Sequence, residues 1–250
     1  MTYTLFNEQV PMETTPGGWT IIDRDAGVLA LTYRVAGAGR STCFAARMPN
    51  GEMLIVSPAV GLGDVAASEL ERFGPVGALV ANNGFHHLGQ AAWRTRYPQA
   101  RTFAPAEAMA RIAKKSEVKL AFEPLDALRP LLGDSLGVRE VPNTKCGECW
   151  FWVHTSNGWA WYLSDVLANM PRLPKPLPLR LLFSLSKSAP GYRVFNLAMK
   201  FVVKDKKATL RLLREDLLAR PPQVMVPAHG DLLIGDDLFE RTNALLNGYL

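Results

Sequence analysis

The chain has 250 residues, 48% of them hydrophobic and 20% charged, enough to bury one large core. No apolar run approaches the roughly 18 residues that span a bilayer, and the opening MTYTLFNEQVPMETTPGG carries neither a basic leader nor an apolar signal core, so a cytoplasmic protein without a transmembrane segment is expected. The formal charge of +5 is uneven: residues 172–220 hold twelve Lys/Arg against three Asp/Glu, a balance of +9, which leaves −4 for the rest.

Taken in chain order, the first third predicts β-structure. Trp19 to Ile22, Gly27 to Val35 and Ser41 to Met48 read as successive strands, and Pro49-Asn50-Gly51 turns the chain into Met53 to Val56. Asp64 is placed to N-cap a helix that runs to about Phe73 and ends at Gly74-Pro75. A short buried strand is expected over Gly77 to Ala81. Helical stretches follow at Leu88 to Tyr97 and Pro105 to Ser116, joined by the strand-like Ala100 to Phe103.

Strands return at Val138 to Val141, Cys149 to Thr155 and Trp159 to Leu163. Asn157-Gly158, between the last two, is a strong hairpin signal. Beyond the prolines at 171, 174, 176 and 178, residues 179–220 read as mostly helical, and Val224 to Val226 as a last strand. Strands, βα units, strands, helices and a final strand predict a layered α/β domain with helices outside paired sheets.

Three of the four histidines follow short apolar strands, where loops mount functional groups. His86 and His87 sit in Val80-Ala-Asn-Asn-Gly-Phe-His-His-Leu-Gly89, and His229 in Val226-Pro-Ala-His-Gly-Asp231. Asp165 ends the aromatic strand Trp161-Tyr-Leu-Ser-Asp165. Neutral imidazoles with a carboxylate suit Zn²⁺ or Fe²⁺. Each also has a structural use: the histidines can cap a helix or satisfy a turn, and Asp165 can cap Val166 to Asn169.

Cys146-Gly-Glu-Cys149 lacks the second cysteine pair of a structural zinc site and the βαβ setting of a redox motif. With Cys43 it makes three cysteines, too few for a disulfide framework, which fits a reducing compartment. His154 and the alternating Trp150, Trp152, Trp159 and Trp161 read as sheet packing rather than a base-stacking platform.

In segment order the chain resembles the metallo-β-lactamase superfamily from end to end. The resemblance implies a single domain over 1–250, an αββα four-layer sandwich, with a basic Leu/Pro-rich helical insertion at about 170–220. The family's His-x-His-x-Asp-His corresponds to Asn82-Asn-Gly-Phe-His-His87, in which only His87 keeps its residue type. Its second-histidine loop corresponds to Pro142 to Glu148, with Thr144 in the histidine's place. Ser164-Asp165 resembles its Gly-Asp segment, and Pro227-Ala-His229-Gly its closing Pro-Gly-His-Gly.

Asn82, Gly84 and Thr144 thus stand where ligands of the family's first metal position would be, while His86, His87, Asp165 and His229 match the second. The implied cofactor is one divalent metal, Zn or Fe, with Asp165 or His86 also handling a proton. The implied reaction is hydrolysis of an ester, thioester, lactone or phosphoester. The competing reading is a binding or assembly module that kept the sandwich and lost its metal. A third takes Leu177 to Leu185 and Tyr192 to Val203 as a surface for a partner subunit, as in a homodimer, or for an anionic membrane. A small, anionic substrate fits the basic segment, which otherwise is a solvated face; nucleic acid is not expected.

Overall fold

The computed structural model describes residues 12–35, 39–116, 119 and 121–250; most of the stretch read for a leader, 1–11, lies outside them. The chain opens with four antiparallel strands, β1 (Trp19–Asp23), β2 (Val28–Val35), β3 (Gly39–Arg47) and β4 (Met53–Val56). Helix α1 (Asp64–Glu71) then carries it to β5 (Val76–Val80), α2 (Gln90–Arg96) to β6 (Arg101–Ala104), and α3 (Ala106–Lys115) to the short β7 (Glu123–Pro124). Because each crossover contains a helix, β4 to β7 run parallel. The result is one seven-stranded sheet in simple sequence order.

After α4 (Arg129–Leu132) come β8 (Leu136–Glu140), β9 (Cys149–Thr155), β10 (Gly158–Tyr162) and β11 (Leu167–Met170). Helix α5 (Leu177–Leu185), β12 (Gly191–Val194), α6 (Asn196–Val202), α7 (Lys206–Ala219), β13 (Pro222–Val226), β14 (Leu233–Ile234) and α8 (Leu238–Asn247) complete the order. The second sheet runs β14-β13-β10-β9-β8, with β13 parallel to β10. The β9–β10 hairpin forms as expected but pairs Thr155 with Gly158, so its two turn residues are Ser156-Asn157, one earlier than the Asn157-Gly158 turn read from sequence.

Alternation along the strands explains the layers. Val28, Ala30, Phe44, Leu54 and Val80 of the first sheet pack against Val138, Phe151, Tyr162, Val224 and Val226 of the second. Leu29, Leu31, Cys43, Met53, Ile55 and Leu79 point the other way, onto Ala66 and Leu70 of α1 and Trp93 of α2. On the far side Trp150, Trp152, Trp161 and Met225 pack on Leu210, Leu213 and Leu217 of α7 and Leu246 of α8. Both sheets are covered on both faces, giving helix, sheet, sheet, helix, the expected αββα sandwich.

Two expectations change in detail. Asp64 is not a cap: Gly63 occupies the N-cap, and Asp64, in the first turn, pairs with Arg96 at 2.7 Å. A carboxylate there favours the positive end of the helix as well as a cap would. The stretch 179–220 is interrupted by β12, which pairs antiparallel with β11. Its last helix, α7, belongs to an outer layer of the sandwich through Leu210, Leu213 and Leu217.

Candidate metal centre

Parallel pairing brings the carboxyl ends of β4, β5, β10 and β13 to one edge of the sandwich, and a site residue leaves each. Ser57 follows β4, the Ala81 to His86 turn follows β5, Asp165 follows β10, and His229 follows β13. Two of these exits are bent by residues in the left-handed region, Ser57 at φ 55° and Ser164 at φ 50°. Such non-glycine conformations cost free energy and concentrate where function demands them.

His86, Asp165 and His229 each offer a ligand atom, all within 4.8 Å of one another; they form the one such group of three among the described residues. His86 Nε2 lies 3.2 Å from Asp165 Oδ2, and His229 Nε2 lies 3.1 Å from Asp165 Oδ1. The outer nitrogens are held as well: Ser57 Oγ is 2.8 Å from His86 Nδ1 and 3.1 Å from the Tyr33 hydroxyl, and the Arg40 carbonyl is 2.8 Å from His229 Nδ1. With those outer nitrogens carrying the protons, both Nε2 lone pairs face the Asp165 carboxylate. That is the arrangement of histidine ligands whose second nitrogen is fixed by a neighbour, so the residues fit a divalent cation.

Burial sets the electrostatics. It raises the cost of charging Asp165, yet His86 and His229 outweigh it and hold the carboxyl well below the usual range. For His229 burial works against the charge, but the hydrogen bond and attraction of Asp165 prevail and raise its imidazole. The His229 side chain is 20% exposed, against 6% for Asp165 and His86, so access is from the His229 side. Phe195 stands edge-on to the His229 ring there, with centroids 5.4 Å apart.

His87, expected in the same ligand set, is not one of the three. Neighbouring residues of a turn project differently, and His87 lies near Gly84 and Arg111 instead. Burial lowers its imidazole, the Gly84 backbone partly offsets this, and Arg111 and His86 add to the depression.

The resemblance sets Asn82, Gly84 and Thr144 at the family's first metal position. Asn82 Nδ2 donates to Ser164 Oγ while its Oδ1 is buried without a hydrogen-bond partner, and Thr144 Oγ1 accepts from the Gly147 N–H at 2.9 Å. A side chain at Gly84 would collide with Arg111, whose Cδ lies 2.4 Å from the place of a Cβ.

Sequence reading missed Glu148 and Asn83. Glu148 is fully buried and accepts from the Ser164 hydroxyl, from the Cys149 N–H at 3.0 Å and from Asn83 Nδ2 at 3.4 Å. Burial, then the nearby Asp165 charge, pushes its carboxyl well above the usual range. Asn83 Nδ2 also donates to Asp165 Oδ2 at 2.9 Å, linking the two acids. The one signal was compositional: an Asn-Asn pair beside the histidines and an acid inside Cys-Gly-Glu-Cys. Those cysteines are free and buried, and burial first, with Glu148 beside them, pushes Cys146 up to about 11 and Cys149 well above the usual thiol range. His154 lies against Trp159, away from the site.

No family model and no curated protein matches the sequence. Solved structures do. The chain is similar to DIM-1 metallo-β-lactamase exposed to ceftazidime, with TM-score 0.55 and 12% identity over 95% of this chain and 100% of that one. It is similar to FIM-1 from Pseudomonas aeruginosa in its mono-zinc form, with TM-score 0.53 and 17% identity over 94% and 97%. A third is the NDM/FIM-1-like enzyme from Erythrobacter litoralis, also mono-zinc, with TM-score 0.54 and 15% identity over 92% and 96%.

Proposed function

From the premise that the chain has the metallo-β-lactamase fold, we propose a metal-dependent hydrolase with a mononuclear centre held by His86, Asp165 and His229. The observation that carries this is the convergence of three donor side chains from three strand ends, two of them with their second nitrogen already fixed. Similarity to two mono-zinc structures supports zinc, and the all-N/O donor set also suits iron. A bound divalent cation supplies Lewis acidity and brings the pKa of water from 15.7 to about 7.

The chain's own groups do the rest. Ser57 and the Arg40 carbonyl orient the imidazoles. Asn83 holds Asp165, and the second oxygen of that carboxylate is the group placed to take the proton of an attacking water, since His86, protonated at Nδ1 and ligating through Nε2, has no lone pair left for it. Phe195 shields the open side. The ester, thioester, lactone or phosphoester substrate is small, and an anionic one would meet the basic 172–220 segment. We read residues 1–250 as one domain.

The hydrogen bond that takes up Thr144 Oγ1 and the lack of a donor side chain at Gly84 favour one cation over two, and equally suit the alternative, a binding module without a metal. Zinc-loaded and iron-loaded protein, assayed on ester, thioester, lactone and phosphoester panels, decides between them. Turnover that chelation removes and zinc or iron restores supports the hydrolase; uniform inactivity of metal-loaded protein supports the module.

A further inference from the structure

Helix α5 has no buried residue. Leu177, Leu181, Leu182 and Leu185 are 65%, 54%, 45% and 82% exposed. At about 100° per residue they share an arc of about 140°, which also contains Pro178. The opposite side carries Phe183, whose ring packs on Phe195 with centroids 5.8 Å apart. The helix therefore turns its leucines outward, the reverse of a helix on a soluble surface.

Along the chain, the charge on α5 and on either side of it has one sign. Arg172, Lys175, Arg180 and Lys187 are exposed on α5 and its flanks, and the sequence contains no Asp or Glu between Asp165 and Asp205. We propose that α5 is a docking element for an anionic lipid bilayer surface: its leucines enter the boundary between headgroups and acyl chains, and its basic neighbours meet the headgroups. No described helix is long and apolar enough to cross a membrane, so the contact is peripheral.

Charge complementarity selects this occupant over a second copy. A twofold interface sets a patch against itself, and here that would bury Arg180 and its neighbours against their own counterparts with no acid in the segment to neutralise them. A nucleic acid would meet the charges and leave the leucines in water. Phe183 touches Phe195, and Phe195 the His229 ring, so docking through the leucines would leave α5 between the lipid surface and the candidate centre.

The test is flotation of the full chain with phosphatidylcholine vesicles, with and without about one third phosphatidylserine. Binding is expected to the anionic vesicles alone at salt on the order of 0.1 M, weakening as salt rises. Leu181→Glu/Leu185→Glu and Arg180→Glu/Lys187→Glu should each cut the bound fraction at least about tenfold, with unchanged melting temperatures because the altered side chains are exposed. The proposal is overturned by failure to bind anionic vesicles, by equal binding to neutral ones, by binding that survives both double variants, or by a dimer in solution that Leu185→Glu dissociates.

Discussion

Ser57 adopts φ 55° directly after β4 and there joins the Tyr33 hydroxyl to His86 Nδ1. Removing an outer partner of a ligating histidine typically costs about 10–100-fold in metal affinity. Ser57→Ala should therefore weaken zinc binding by about that factor in a chelator competition, and unchanged affinity would show that the hydroxyl orients nothing. The three convergent residues were legible because each closes a short apolar strand. Their supports were not: Asn83 and Asp165 are 82 positions apart, Ser57 and His86 29, and no local pattern encodes such a partnership. Nor does a serine announce a left-handed backbone as a glycine does. The resemblance points to His87 as a ligand because it alone keeps the motif's residue type, whereas in the structure the turn carries His86 to within 3.2 Å of the Asp165 carboxylate.

Gly230 holds the loop that presents His229. Its φ is 105°, and a Cβ there would lie 1.9 Å from the Asn169 carbonyl oxygen of β11. That carbonyl accepts from the Asp231 N–H at 2.8 Å, and the Asn169 N–H donates to the His229 carbonyl at 3.1 Å. Gly230→Ala should destabilise the fold by more than about 1 kcal/mol in chemical denaturation and weaken metal binding too; a fully stable variant would show that the strand and loop give way without cost.

Asp23 ties the two sheets together at another place, accepting from the Ala26 N–H at 2.8 Å and from the Ser156 N–H and hydroxyl at 2.7 Å each. Burial would raise its pKa, but these bonds prevail and lower it from 3.8. A depressed folded value means stabilisation that is complete above the unfolded value, near pH 3.9, and lost as pH falls through the folded one. Asp23→Ala should cost about 1–3 kcal/mol at pH 7, with the gap to the parent closing in acid. A gap independent of pH would contradict this.

Elements with strong alternation or turn chemistry, such as β4 and β9, were readable to their bounds. The two-residue β7 and β14 carry no periodicity, and α8 went unread. Strand β12 lay hidden in an apolar stretch whose pairing with β11 only the fold supplies.

At the scale of the molecule, the sandwich persists where identity to its neighbours is only 12–17%. Burial of both faces of both sheets constrains residue class rather than residue type, and cores tolerate wide substitution while volume and patterning hold. The proposed site has no such freedom, since a cation needs particular donor atoms, and the three donors gathered there are the ground on which one cation is proposed. Metal content of protein purified without a polyhistidine tag, in the parent and in His229→Ala, His87→Ala and Thr144→Ala, tests that claim most directly. About one equivalent of zinc or iron per chain is expected for a centre with one open position, lost in His229→Ala and kept in His87→Ala and Thr144→Ala; two equivalents, none after loading, or full retention in His229→Ala would contradict it.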